Sequence, residues 1–202
     1  MPKNADEKRL KILETAKRRF AHYGMAKTTM AEIAKDLSFS KALLYYYFPD
    51  KNSLYAAVLE HVVEELEEDI TASLMSIVSV SEAIIIVLEK RMEFVKRYYY
   101  ILEYTVLMRK DLSTELDQLL IDSFENQKGI IRSVFQRGVE RGELMDVDLD
   151  EISKIFLFSS MGMRLVVVKD LKSSFIPEKE EFDAILAMQK KMAAIFIRGL
   201  KV

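Results

Sequence analysis

The fold of this chain is decided by residues 28–51, TTMAEIAKDLSFSKALLYYYFPDK. Thr29 and Glu32 have the S/T-x-x-E spacing of a capping box, which predicts that a helix begins here. Residues 38–40 interrupt that helix, and Pro49 ends a second one. Two short helices joined by a three-residue turn predict a helix-turn-helix, whose second helix enters the major groove of DNA.

Apolar residues near this stretch are spaced so that each helix has one side to bury. Ile33 lies on that side of the first short helix, and Leu44 and Phe48 lie four residues apart on the second. A longer helix is predicted before them, from about residue 5 to residue 22, with Gly24 at its end. Together these three helices predict a small N-terminal head.

The composition is that of a globular chain with a sizeable core. Apolar residues make up 50% of the 202 positions and charged residues 31%. Cysteine is absent, which excludes disulfides and thiolate metal sites and favours a reducing compartment. We find no signal peptide and no apolar run long enough to span a bilayer. We therefore expect a cytoplasmic protein with no membrane partner, no metal and no cofactor.

Charge is distributed unevenly along the chain. Residues 1–51 contain eleven Lys and Arg against six Asp and Glu, whereas residues 52–202 contain nineteen against twenty-six. A basic first quarter followed by an acidic remainder suggests that nucleic acid is contacted at one end only.

The scarcity of helix-breaking residues predicts an all-α fold of about nine helices. The chain has three prolines and six glycines, and residues 50–176 contain no proline. We expect a helix-turn-helix DNA-binding domain at 1–51 and a helical effector-binding and dimerisation domain at 52–202. Whether 98–110 forms a separate helix is left open. Gly129, inside a long predicted helix, costs about 1 kcal/mol relative to alanine and predicts a bend or a close contact there.

The last two predicted helices, at about 150–171 and 179–200, have the pattern of a dimer interface. The first of them is apolar on two sides, and both sides require burial. We expect the pair to meet its two-fold copy in a four-helix interface, with burial of both sides in a single chain as the alternative. The expected interface residues are Phe156, Ser159, Met163, Val166, Phe182, Leu186, Gln189 and Phe196.

Three groups of residues carry a resemblance to a known family: Ile12, Leu13, Ala16, Phe20 and Gly24; the run 28–34; and the run 40–48 followed by Lys51 and Leu54. Over residues 10–54 the chain resembles the TetR/AcrR family of transcriptional repressors. Most members have glycine at the position of Ser38 and a small residue at that of Ala42, so the backbone of the turn is expected to differ slightly. Beyond residue 60 only the number and length of the helices are similar.

The resemblance implies which side chains contact DNA. The recognition helix would meet the bases, Thr28 and Thr29 would bind phosphate at a helix N-terminus, and Lys51 would hold a phosphate. Lys51→Ala is accordingly expected to lower the salt dependence of DNA binding by about one unit. A dimer implies a palindromic operator with half-sites about one helical turn, or a multiple, apart. The implied contacts are Thr28, Thr29, Lys41, Ala42, Leu43, Tyr45, Tyr46, Tyr47 and Lys51.

Aromatic and methionine residues of the second domain suggest an apolar effector pocket, although such side chains more often belong to a core. Buried tyrosine hydroxyls each need a partner, which favours a cavity. The resemblance implies that a bound ligand tilts the fourth helix and releases DNA. The candidate pocket residues are His61, Met92, Tyr99, Tyr100, Tyr104, Met108, Phe124, Phe158 and Met161.

We find no motif for catalysis. The two histidines, His22 and His61, lie in no metalloprotease frame, and no glycine-rich phosphate loop is present. The sequence therefore predicts a regulator and not an enzyme: a repressor released from its operator by a small apolar or amphipathic ligand. The alternative is a helix-turn-helix protein without an effector, controlled by a protein partner or by its expression level.

Overall fold

The computed structural model describes residues 2–102, 114–170 and 179–202, with side chains at 5–102, 116–163 and 179–202. These ranges contain eight helices and, at 99–102, a further short helical segment. No described helix is both long enough and apolar enough to cross a membrane. The predicted all-α class is confirmed. The helices are α1 (Pro2–Lys27), α2 (Met30–Asp36), α3 (Lys41–Tyr47), α4 (Lys51–Leu74), α5 (Val80–Arg97), α6 (Thr114–Glu140), α7 (Leu149–Asp170) and α8 (Lys179–Leu200).

The predicted helix signals of the N-terminal part are present. Thr29 and Glu32 form both hydrogen bonds of a capping box at the start of α2. Ser40 caps α3 by accepting the Leu43 amide. Gly24 takes a left-handed conformation, with φ 77°, and interrupts α1 close to where the helix was predicted to end.

The chain divides into two compact units, residues 1–65 with 97–121 and residues 66–96 with 122–202. The boundary between them falls within α4, so the predicted division at residue 51 stays a prediction. In the first unit, the Phe20 and Tyr55 rings meet edge to face at 5.9 Å, and the Tyr55 hydroxyl donates to the Ile101 carbonyl. This core supports the three N-terminal helices.

The second unit is built around a cluster of aromatic rings. The Phe156 ring meets Phe135 at 5.8 Å and Phe196 at 5.4 Å, which joins α6, α7 and α8. Gly129 has no described atom within 4 Å of the position that a Cβ would occupy, so of the two alternatives expected there the close contact is wrong and the bend stays a prediction. The close approach lies at Gly138, where a Cβ would come within 2.4 Å of Val80 and 2.9 Å of Leu144.

Candidate nucleic-acid interface

Helix α3 has a core side and an exposed side. Leu44 is fully buried and Phe48, just beyond the helix, is 4% exposed. On the other side Tyr45 is 48% exposed and Tyr46 80% exposed, which is unusual for aromatic rings of this size. Of the remaining predicted contacts on α3, Lys41 and Ala42 are exposed and Leu43 and Tyr47 are half-buried. A cation and phenol rings on one face can contact base edges and phosphates.

The turn between α2 and α3 is shaped by Ser38. Its φ is 54°, the left-handed conformation that glycine adopts without strain. The amides of Ser38 and Phe39 donate to carbonyls at the end of α2, those of Lys35 and Ala34. The turn is therefore closed by backbone hydrogen bonds, and the serine takes the conformation that a glycine would take.

The two threonines before α2 have different environments. Thr29 is exposed and donates through its amide and its hydroxyl to the Glu32 carboxylate, at 2.9 and 2.7 Å. Thr28 is 0% exposed, its hydroxyl donates to the Gly24 carbonyl at 2.9 Å, and its amide donates to Met25. The expected phosphate contact through Thr28 is therefore corrected: its polar groups are used inside the fold.

Lys51, the first residue of α4, points back towards the end of α1. Its Nζ donates to the Met25 carbonyl at 2.9 Å and to the Thr28 carbonyl at 3.1 Å. The side chain is half-buried. The ammonium group thus has two protein acceptors at the position where a phosphate partner was predicted.

An ion pair fixes α2 against α1. Both oxygens of Asp36 accept from the Arg19 guanidinium, at 2.5 and 2.9 Å, and Glu32 lies 3.7 Å from the same group. The hydrogen bond from Arg19 holds the pKa of Asp36 below its usual value of 3.8. This bidentate pair restrains the orientation of α2 on α1.

A second charged cluster links α1 to α4. Lys17 Nζ donates to Glu14 at 2.7 Å and to Glu65 at 2.6 Å, and His61 Nε2 lies 2.8 Å from Glu14 and 3.3 Å from Glu65. The ligand-type atoms of Glu14, His61 and Glu65 lie within 4.8 Å of one another, and the Lys17 ammonium donates to both carboxylates. The expected place of His61 in an effector pocket is therefore corrected: it belongs to an ion-pair cluster.

Four candidate pocket residues lie in the second unit. Met92 is buried, and together with Met161 it lines a cavity of about 30 Å³, room for about one or two water molecules. Phe124 and Phe158 pair with ring centroids 5.1 Å apart, but Phe158 is 53% exposed. These side chains do not converge on a single cavity among the described residues.

The other candidate pocket residues lie outside that cavity. Tyr99 and Tyr100 are half-buried, and their rings meet edge to face at 6.0 Å in the first unit. Tyr104 and Met108 fall outside the described residues. The effector pocket stays a prediction.

Three of the expected dimer-interface residues are buried within a single chain. Phe156 is 0% exposed in the aromatic cluster, and Phe182 is 6% exposed. Gln189 is buried and donates to the Ser160 carbonyl at 2.8 Å, which ties α8 to α7. The expectation is wrong for these three, because a side chain enclosed by its own unit has no surface for a second copy.

Four of the other expected interface residues are partly exposed and could contact a second copy. Ser159, Met163, Leu186 and Phe196 are half-buried, and the side chain of Val166 falls outside those described. Beside them, α7 and α8 expose large apolar side chains that were not among the expected ones, in particular Ile155, Phe158, Met188 and Ile195. Met188 and Ile195 line a groove of about 400 Å³, together with Met163, Lys191, Met192 and Phe196. We call these exposed residues and the groove the α7–α8 face.

Comparison with known proteins identifies the N-terminal helices. Residues 12–58, which contain the helix-turn-helix with its exposed α3 side, match the family model described as bacterial regulatory proteins, tetR family. These residues therefore form a DNA-binding region of the TetR-family type. The nucleoid occlusion factor SlmA of Haemophilus influenzae is 34% identical to this chain over 74 residues. That match covers 37% of this chain and 34% of SlmA, so it spans about a third of the relative's length.

Solved structures share the fold over nearly the whole chain. A transcriptional regulator from Cytophaga hutchinsonii has a TM-score of 0.83 at 24% identity, with 95% of this chain and 97% of the other covered. A regulator from Saccharomonospora viridis, in complex with choline, has a TM-score of 0.72 at 21% identity, with 96% of each chain covered. At these identities the similarity shows a common fold.

The residues that the sequence patterns did not indicate lie at contacts between segments that are far apart in the sequence. No local pattern indicates that Lys17 meets Glu65, or that Lys51 meets the carbonyls of Met25 and Thr28. The exposed Met188 and Ile195 do carry a signal, because both lie beside the main apolar stripe of α8. One apolar stripe of the helix faces the core. An apolar residue that lies beside this stripe is a candidate for a second buried face of the helix.

Proposed function

We propose that this protein is a transcriptional regulator that binds a palindromic DNA operator as a homodimer and represses transcription until an effector releases it. The observation that carries the proposal is the two-sided α3, which buries Leu44 and exposes Lys41, Tyr45 and Tyr46. An exposed face of this composition, on the second helix of a helix-turn-helix, is suited to the major groove. The TetR-family type of the DNA-binding region supports the same function, and the names of its relatives give no support for an enzyme.

The α7–α8 face supports a dimer. Ile195 is 71% exposed and Met188 and Phe158 about half exposed, although the side chains are apolar. Exposed apolar residues on two helices, two of which line an apolar groove, are typical of a protein interaction surface. A second copy of the same two helices presents the same chemistry and would bury both faces at once.

Release by a small ligand is supported by one observation. The choline complex of the Saccharomonospora viridis regulator supports a small molecule as effector in a chain of this fold. For release, the ligand must bind the DNA-incompetent conformation more tightly than the DNA-bound one. The alternative, a regulator without an effector, differs from this proposal in one measurable quantity, the change of operator affinity on ligand binding.

The DNA-binding part is tested by selecting sequences from genomic fragments with the purified protein and footprinting the bound sites. We expect protection of two inverted half-sites about one helical turn, or a multiple, apart. Tyr46→Ala should weaken specific binding by about tenfold or more, because a base or phosphate contact is lost. Tyr23→Ala is the matched control, since Tyr23 is also exposed but lies on α1. Binding without sequence preference would contradict the proposal.

The effector part is tested on the operator found in this way. Choline and a set of apolar and amphipathic compounds are first screened for those that raise the melting temperature of the protein. Compounds that do so should also weaken operator binding. If operator affinity is unchanged by every stabilising compound, release by a ligand is wrong and the regulator without an effector is favoured.

A further inference from the structure

Arg19 on α1 contacts two carboxylates of α2 that lie one helical turn apart. Its guanidinium donates to both oxygens of Asp36, at 2.5 and 2.9 Å, and lies 3.7 Å from the Glu32 carboxylate. Residues four apart on a helix lie on the same side, where two negative charges repel each other. One cation of α1 therefore holds this side of α2 and offsets that repulsion.

Helix α2 is short, so its direction depends on a few contacts. It has seven residues, too few for a helix that is stable on its own, and it buries Met30, Ile33 and Ala34. Apolar contacts of this kind are non-directional. A bidentate pair of a guanidinium and a carboxylate fixes both a distance and an angle. Because only 20% of the Arg19 side chain is exposed, solvent screens its pair with Asp36 less than it screens a fully exposed pair.

The direction of α2 determines that of the recognition helix, α3. The amides of Ser38 and Phe39 donate to carbonyls of α2, so the turn between the two helices is closed by backbone hydrogen bonds. Leu44 of α3 is fully buried, which fixes the side that α3 presents to solvent. A rotation or shift of α2 on α1 would therefore move the exposed side chains of α3. Hydrogen bonds to bases and phosphates weaken steeply when their distance or angle changes.

We propose that Arg19 and Asp36 are positioning residues for DNA binding, whose ion pair holds α2 and the recognition helix in the orientation that the major groove requires. The inference rests on the proposed DNA-binding function and adds to it two residues outside the expected DNA contacts. The pair acts through α2, of which Asp36 is the last residue.

The test compares two substitutions in the full-length protein that change its net charge in opposite directions. Arg19→Gln removes a positive charge and Asp36→Asn removes a negative one, but both break the ion pair. Each should therefore weaken binding to a labelled duplex of the site selected from genomic fragments, by about threefold to tenfold, well below the melting temperature. If net charge alone mattered, Asp36→Asn would strengthen binding, because DNA is negatively charged.

Three further variants complete the comparison. The double variant Arg19→Asp with Asp36→Arg exchanges the partners at an unchanged net charge and should recover most of the lost affinity. Arg19→Lys keeps the charge but loses the bidentate geometry, so its affinity should lie between those of the wild type and Arg19→Gln. Glu7→Gln is the matched control: Glu7 is exposed on α1, and the loss of its negative charge should not weaken binding. The single variants keep the test decisive if the exchanged pair does not fold.

Each possible outcome has one meaning. Weaker binding in both single variants, with recovery in the exchange, supports the inference. Binding by Asp36→Asn that equals or exceeds that of the wild type would overturn it, and so would a lower melting temperature with unchanged affinity, which shows a role in stability only. A folded exchange variant as weak as Arg19→Gln would also overturn it, because Arg19 would then act without Asp36. If the wild type itself prefers no DNA sequence, the proposed function fails first, before any variant is compared.

Discussion

Lys17 on α1 donates to Glu65 on α4 across 2.6 Å, although 48 residues separate them in the chain. The same ammonium donates to Glu14, and only 12% of the Lys17 side chain is exposed. The cluster therefore fastens the first helix of the DNA-binding head to the helix that follows it. The carboxylates of Glu14 and Glu65 are thus held together by the ammonium of Lys17, a cation of the same chain.

Removal of this cation should destabilise the first unit. Lys17→Met leaves two neighbouring carboxylates without their shared donor, and we expect the free energy of unfolding to fall by about 1–2 kcal/mol. Lys90→Met is the matched control, because Lys90 pairs with Asp69 at 3.0 Å in a more exposed place and should cost less than about 0.5 kcal/mol. Urea unfolding measures both. An equal decrease in the free energy of unfolding for both variants would contradict a stabilising role of the cluster.

The stability of the protein should depend on pH through Glu14. Burial raises the pKa of Glu14, but hydrogen bonds from Lys17 and His61 outweigh it, so the pKa lies below the ordinary 4.5. A lowered pKa means that the ionised form favours folding: this contribution is present above pH 4.5 and is lost as the pH falls through the pKa of the folded state. Glu14→Gln should therefore reduce the loss of stability in urea unfolding between about pH 5 and pH 3. An unchanged pH dependence would contradict the prediction.

Two glycines of α6 should respond in opposite ways to alanine. Gly138→Ala places a methyl group within 2.4 Å of Val80 and should lower the free energy of unfolding by about 1–3 kcal/mol. Gly129→Ala meets no described atom within 4 Å and should raise it by up to about 1 kcal/mol, because alanine favours the helix. Thermal unfolding of the two variants side by side checks the sign of each change.

Replacement of Ser38 by glycine should stabilise the protein. Its φ of 54° costs a residue with a Cβ about 1 kcal/mol, which glycine avoids. Ser38→Gly should raise the free energy of unfolding by part of that amount, while Ser38→Ala should not. Ser40→Ala, two residues on, should lower it by about 1 kcal/mol through loss of the α3 cap. A gain in both Ser38 variants would show that the backbone conformation is not the cause.

The α7–α8 face can be tested by placing one charge in it. Sedimentation at micromolar concentration should give a species of twice 23.4 kDa for the wild type and of 23.4 kDa for Ile195→Lys. Met75→Lys is the control, because Met75 is 84% exposed but lies outside this face. A single 23.4 kDa species for the wild type would exclude the dimer.

Sequence patterns predicted the features that depend on residues close together in the chain. The capping box of Thr29 and Glu32 and the bounds of α8 are set within one or two helical turns, and both were present as expected, while Gly24 interrupts α1 near its predicted end. Features set by packing were not predicted. Whether Thr28 faces solvent or the core, and which carbonyls Lys51 meets, depend on how α1 and α4 come together.

The same difference explains the errors on the last two helices. The periodicity of α7 indicated two apolar sides, but it could not say which side the chain's own core would take. Phe156 was expected at an interface and lies in the core, whereas Phe158, expected in a pocket, is exposed. Residues two apart on a helix point to different sides, so a choice of side affects every assignment on that helix.

The α7–α8 face also bears on how the protein is made. A newly synthesised chain that has folded alone presents Ile155, Phe158, Met188 and Ile195 to its surroundings until a second copy arrives. Exposed apolar surface of this kind binds other incompletely folded chains. The time before a second copy is met lengthens as expression falls. Under the proposed dimer, the hazard is greatest for a regulator made in few copies, and translation of several chains from one message would shorten the wait.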